Sequence, residues 1–205
     1  IGFSIQELKD FVLQFDFSKF EPNVDSIYFL SNYGLDNGDK IMTAIKTFLF
    51  EKFKVYDITF KELYDKTKKE LKIFTTNYTK SRSELFSYKC SPDLSVIDAI
   101  RMSISVPFLF TPVKYNDCYY IDGGITNNFP IRYCNSYNSL GIAVINRKDN
   151  DMESLPKFLM GICSIAIDSI SLNQICDNEE IISKTKYNYF EINCRQKGTL
   201  NFALN

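Results

Sequence analysis

Helical segments alternating with mostly apolar strands predict an α/β protein, a sheet with helices on both sides, forming one domain over residues 1–205. Three observations carry this expectation. Two capping boxes, Ser4-x-x-Glu7 and Thr59-x-x-Glu62, each open a run with apolar residues at helical spacing. The run Leu140 to Ile145 is continuously apolar, the pattern of a strand covered on both faces. A length of 205 residues, 45% hydrophobic and 24% charged, is enough for a single core without disulfides or a structural metal.

The first helix is expected from about Ile5 to Phe15, with Ile5, Leu8, Val12 and Phe15 on one face. A loop containing Pro22 follows, then a short apolar run, Ile27 to Leu30, and a turn-rich stretch, Tyr33 to Gly38. Ile41, Ile45, Phe48, Leu49 and Lys52 outline a helix with one apolar side, and behind Thr59 the residues Phe60, Leu63, Tyr64, Thr67 and Leu71 keep helical spacing. Leu71 to Thr79 is β-branched and aromatic and reads as a strand, with Glu84 to Tyr88 as its partner. Ser95-x-x-Asp98 caps a helix from Val96 to about Ser103. Val106-Pro107 must end it, because the residue before proline avoids the helical region. Cys118 to Ile121 reads as a short strand, Phe158 to about Leu172 as a helix, and Tyr187 to Cys194 as the last strand.

Composition narrows the chemistry. The chain has no histidine, which removes Ser-His-Asp and Cys-His catalysis and most zinc sites from these residues. Twenty-four basic residues against twenty-five acidic ones leave a formal charge of −1 with no block of like charge, so nucleic acid is not an expected partner. Cysteines 90, 118, 134, 163, 176 and 194 stand singly, without metal-like spacing, and read as buried, reduced thiols. No signal-peptide pattern opens the chain. The apolar stretch Phe158 to Ile167 runs about half the length of a membrane span and reads as a buried helix. The lone sequon Asn77-Tyr78-Thr79 changes nothing here, and localisation stays open, with the cytoplasm or a membrane surface expected.

The segment that stands out is Asp122-Gly123-Gly124, directly after the strand Cys118 to Ile121 and followed by Asn127-Asn128-Phe129-Pro130. Taken without its flanks, Asp-Gly is an ordinary hairpin turn, since glycine adopts positive φ freely. The functional reading is a carboxylate at a strand end pointing into a cleft, with two glycines that let the backbone approach a reacting group. Partial desolvation would raise the pKa of Asp122 toward that of a general base, and a serine or threonine is its natural partner where histidine is absent. Ser103 and Ser105 lack the flanking glycines of a strained nucleophile turn. Asn127 and Asn128 read as loop supports through side-chain to backbone bonds, and the lysines and arginines on helices as solvated faces.

The string from Leu94 through Arg101-Met102-Ser103-Ile104-Ser105-Val106-Pro107-Phe108 to Asp122-Gly123-Gly124 and Asn128-Phe129-Pro130 resembles the patatin-like phospholipase family in order, spacing and residue type. Ile1 to Leu8, Ile58 to Leu63 and Gly198 to Leu204 extend the resemblance over nearly the whole chain. It implies a three-layer α/β/α sheet and a lipid acyl hydrolase with a Ser-Asp dyad, in which Asp122 matches the aspartate while Gly123 and Gly124 shape its turn. It also implies no cofactor, a phospholipid or other lipid acyl ester as substrate, and peripheral membrane contact through apolar residues around the cleft; no acidic cluster in the sequence has the oxygen-ligand spacing of a calcium loop, so no metal is expected. The family's G-x-S-x-G elbow and Gly-rich oxyanion loop do not occur in these residues. The resemblance places both upstream of Ile1, so the expectation is a C-terminal part of a longer protein, incomplete at its N-terminal side and inactive alone. A non-catalytic lipid-binding or interaction module that keeps the fold is the alternative. An unrelated α/β domain with a plain Asp-Gly-Gly hairpin is a third.

Overall fold

Glu7 Oε2 accepts the Ser4 N–H at 2.6 Å and Ser4 Oγ accepts the Glu7 N–H at 3.2 Å, closing the first capping box ahead of α1, Ile5–Gln14. The computed structural model describes residues 3–14, 26–134, 140–146, 154–185 and 188–194. Phe15, the Pro22 loop and the 198–204 segment lie outside the described residues, as do the side chains of Leu8, Val12, Cys176 and Cys194.

The apolar run at 27–30 belongs to a helix, α2 (Ser26–Asn32). Inside the expected turn-rich stretch lies a strand, β1 (Gly34–Asp36), parallel to β4 (Phe108–Phe110). Its partner is distant in sequence, so local propensity gives no sign of it. Next come α3 (Asp39–Phe53) and α4 (Phe60–Thr67). The second capping box is complete on both sides, and α4 stops at Lys68, in the left-handed region at φ 54, before reaching Leu71. β2 (Ile73–Asn77) pairs antiparallel with β3 (Arg82–Phe86), from Ile73 opposite Phe86 to Asn77 opposite Arg82. α5 (Val96–Ser103) is capped by Ser95, whose Oγ accepts the Asp98 N–H at 3.1 Å.

After β4 come β5 (Val113–Tyr115) and β6 (Cys118–Ile121), giving an antiparallel sheet in the order β3-β2-β6-β5. A four-residue helix, α6 (Gly124–Asn127), and a 3-10 turn, Ile131–Tyr133, lead on to β7 (Leu140–Asn146). A long helix, α7 (Leu155–Thr185), then returns the chain to β8 (Asn188–Cys194), parallel to β7. The α/β class is observed, with both parallel and antiparallel strand pairing.

The main core gathers Ile58, Phe60 and Leu63, Ile73 and Phe86, Val96, Ala99 and Met102, and Cys118 and Tyr120, so α4, α5 and the antiparallel sheet share one apolar interior. A smaller cluster, Phe129, Ile131, Ala143 and Ile175, joins the loop after α6 to β7 and α7.

Three expectations are corrected. At β7, Leu140 and Ile142 are exposed while Gly141 and Ala143 are buried, so its described residues alternate as in a strand covered on one face. α7 has 31 residues, and its stretch Leu155–Ile175 is long and apolar enough to cross a membrane, yet only 6% of the most apolar window is buried. It exposes Leu155, Phe158, Ile162, Ile165 and Leu172 along one stripe. The thiols are not uniformly buried either: Cys118 is buried and Cys163 half-buried, but Cys90 and Cys134 are exposed.

Candidate active site

Asp122 follows the last residue of β6, where Ile121 pairs with Thr76 of β2. Its backbone is held on both sides. The Asp122 N–H donates to the Ser105 carbonyl at 2.9 Å, and the Thr76 hydroxyl donates to the Asp122 carbonyl at 2.8 Å. One residue on, the Gly123 N–H donates to the Ser103 carbonyl at 3.2 Å, while the Ser103 hydroxyl donates to the Phe74 carbonyl at 2.7 Å. The strand end is thus locked between β2 and the turn that follows α5.

The glycines are required for a reason the sequence does not reveal. Gly123 has φ −65 and ψ −28, so the positive-φ hairpin turn expected of Asp-Gly is absent. A Cβ on Gly123 would stand 2.2 Å from the Phe74 carbonyl oxygen, and one on Gly124 would stand 2.7 Å from Asn128 Oδ1 and 2.8 Å from Asp122 Oδ1. Close approach to backbone, not turn conformation, excludes a side chain at Gly123, while one at Gly124 would push on the Asn128 and Asp122 side chains.

The Asp122 carboxylate accepts the Gly124 N–H at 2.7 Å. Burial pushes its pKa up to about 6, against the lowering effect of that hydrogen bond. Asp122 lines two clefts. One, of about 310 Å³, runs between Val106, Phe129 and Ala143 on one side and Met160, Cys163, Ser164, Ile167, Asp168 and Ser171 of α7 on the other. The second, of about 340 Å³ and more open to solvent, is bordered by Lys72, Phe74, Ser103, Gly124, Asn127 and Pro130. Burial also raises the pKa of Asp168 and Cys163 in the first cleft. Among the described residues, no three His, Cys, Asp or Glu side chains gather to hold a metal ion.

Asn127 and Asn128 support the loop by bonding to α7 side chains, not through the local side-chain to backbone bonds expected. Asn128 Nδ2 donates to Ser171 Oγ at 2.6 Å, Gln174 Nε2 donates to Asn127 Oδ1 at 3.1 Å, and the Phe129 N–H donates to Gln174 Oε1 at 2.8 Å. Ser103 and Ser105 are committed to backbone carbonyls, of Phe74 and Arg101 respectively. Arg101, expected on a solvated face, is instead half-buried and makes four hydrogen bonds beside Ser105. Sequence reasoning missed Arg101, Thr76 and the polar side of α7, because their partners are far away in the chain.

Asp122 thus stands at the end of β6 beside both clefts, its carboxyl raised by burial to about 6, in an α/β frame whose sequence has no histidine. The patatin-like phospholipase family model matches residues 2–134, and the chain belongs to that family. Among viral relatives, it is 33% identical over 142 residues to the "Probable lipid hydrolase 463L" of Invertebrate iridescent virus 6, a match covering 68% of this chain and 49% of that protein. It is 30% identical over 195 residues to the "Uncharacterized protein R571" of Acanthamoeba polyphaga mimivirus, covering 93% of this chain and 64% of that one. The chain therefore spans about half to two thirds of the length of these curated relatives. Among solved structures, VipD from Legionella pneumophila matches at a TM-score of 0.44 and 20% identity, over 73% of this chain and 32% of that one.

Proposed function

We propose that this chain is the part of a lipid acyl hydrolase that supplies the general base, Asp122, to a serine nucleophile contributed by polypeptide beyond the 205 residues. The observation that carries the reading is the Asp122 carboxyl itself. It faces two clefts, receives one backbone hydrogen bond, and is raised by burial to about 6, which suits a group that must take and return a proton near neutral pH. In the proposed cycle Asp122 accepts the serine proton as Oγ bonds to the acyl carbonyl carbon. The protonated carboxyl then returns that proton to the departing alcohol. A water is activated the same way to release the acyl group and regenerate the serine. The substrate is a phospholipid or another lipid acyl ester, met at a membrane surface. The 205 residues contain no G-x-S-x-G motif, so on this reading the chain alone does not turn over.

The test is hydrolysis of a fluorogenic phospholipid by the longer protein, its Asp122→Asn variant and the 205-residue chain. The longer protein is expected to be active, with kcat/KM rising as Asp122 ionises through pH about 6 and then levelling. Asp122→Asn is expected to lose on the order of a thousandfold. Retained activity in that variant removes Asp122 from the chemistry. No turnover by a folded longer protein across several acyl esters favours the binding-module alternative.

A further inference from the structure

The Arg101 guanidinium, on α5, has four short hydrogen bonds and no contact with either cleft. Its Nε donates to the Asn37 carbonyl at 3.0 Å, just past β1. Nη2 donates to the Thr111 carbonyl at 2.9 Å and Oγ1 at 3.2 Å, just past β4. Nη1 donates to Ser105 Oγ at 2.6 Å. Ser105 Oγ in turn donates to the Arg101 carbonyl at 2.7 Å, so arginine and serine fix each other. Parallel β1 and β4 are thereby tied to the turn after α5 at one point, where the fork of a guanidinium fits and the point charge of a lysine does not. That same turn holds the site, since the carbonyl of Ser105 receives the Asp122 N–H.

We propose that Arg101 is a positioning residue for Asp122, acting through Ser105 to hold the end of β6 where the carboxyl stays out of water. The proposal rests on reading Asp122 as the base for its functional meaning, although the positioning itself does not. A carboxyl raised by desolvation keeps that state only while the backbone beneath it is fixed; a loosened strand end turns the group toward water and returns it to the ordinary aspartate range. The charged groups bordering the same clefts, Lys72 and Asp168, lie on other elements and are left in place by the variants below.

The experiment follows the Asp122 side-chain carboxyl by carbon-13 NMR across a pH titration of the longer protein, with Asp122→Asn identifying the signal. Arg101→Lys keeps the charge and removes the fork. Ser105→Ala removes the intermediary hydroxyl. Both are expected to increase the acid dissociation constant of Asp122 about tenfold, and the double variant to do no more than Arg101→Lys alone. Near-UV circular dichroism reports whether each chain is folded. If Arg101→Lys fails to fold, Ser105→Ala decides. An unchanged titration in folded variants overturns the proposal and leaves Arg101 a purely structural tie. Failure of the base reading is separate: it shows as retained hydrolysis in Asp122→Asn of the longer protein, whatever the titration does.

Discussion

Asp122 carries a cost that can be measured without substrate. A carboxyl that ionises at about 6 in the folded chain and at its ordinary 3.8 in the unfolded one binds more protons when folded between those values. Stability therefore falls as pH rises through that window and stays lower above it. Replacing Asp122 by asparagine keeps the shape and removes the titration. Asp122→Asn is expected to be more stable than the parent sequence by about 2–3 kcal/mol at pH 7.5, with little of that difference left near pH 4. Urea unfolding of both chains at the two pH values checks this, and equal stabilities at pH 7.5 would show that the carboxyl is not held away from water. The gain would be of the kind expected where a residue is kept for chemistry and not for the fold.

At the scale of elements, α5 connects the core to the site. Its inward residues Val96, Ala99 and Met102 are buried, its last turn supplies Arg101 and the Ser103 carbonyl, and the turn after it supplies the Ser105 carbonyl. Ser95 fixes where it begins, accepting the Asp98 N–H and donating to Asp57 Oδ1 at 2.8 Å. Ser95→Ala is expected to cost about 1–2 kcal/mol by chemical denaturation, as the loss of an N-cap does. A change within a few tenths would mean that neighbouring groups supply the cap. α5 was also the most legible element: an N-cap serine, four-residue apolar spacing and a proline just beyond are all local signals. The same holds for the boxes at Ser4 and Thr59 and for the strand Cys118–Ile121. What stayed hidden has partners far along the chain. β1 needs β4 to be a strand, Gly123 is small because of Phe74, and the length of α7 runs well past its apolar centre. At the site, the Asp122 motif was readable as a string, whereas its desolvation and the grip of Thr76 and Arg101 are properties of the packed molecule.

Across the described residues of the whole molecule, α7, β7 and α2 leave large apolar side chains open to solvent. Leu155, Phe158, Ile162, Ile165 and Leu172 of α7 are exposed, as are Leu140 and Ile142 of β7 and Ile27 and Leu30 of α2. With a formal charge of only −1, little electrostatic repulsion opposes association. The 205-residue chain is expected to self-associate at micromolar concentration and to bind an apolar dye, and Phe158→Ser with Ile162→Ser and Ile165→Ser to reduce both. Sedimentation velocity over a concentration series decides, and a monomer throughout would show that this surface is inert between copies.

The loop that begins at Asp122 is joined to α7 in an unusual way: the main-chain amide of Phe129 is satisfied by a side chain, Gln174, that arrives from across the first cleft. Sheet and helix amides lose their protection when their own element unravels, whereas this one is tied to a side chain on another element. Hydrogen exchange at the Phe129 amide is therefore expected to report on the contact between loop and helix, and an exchange rate unchanged by Gln174→Ala would show that it does not.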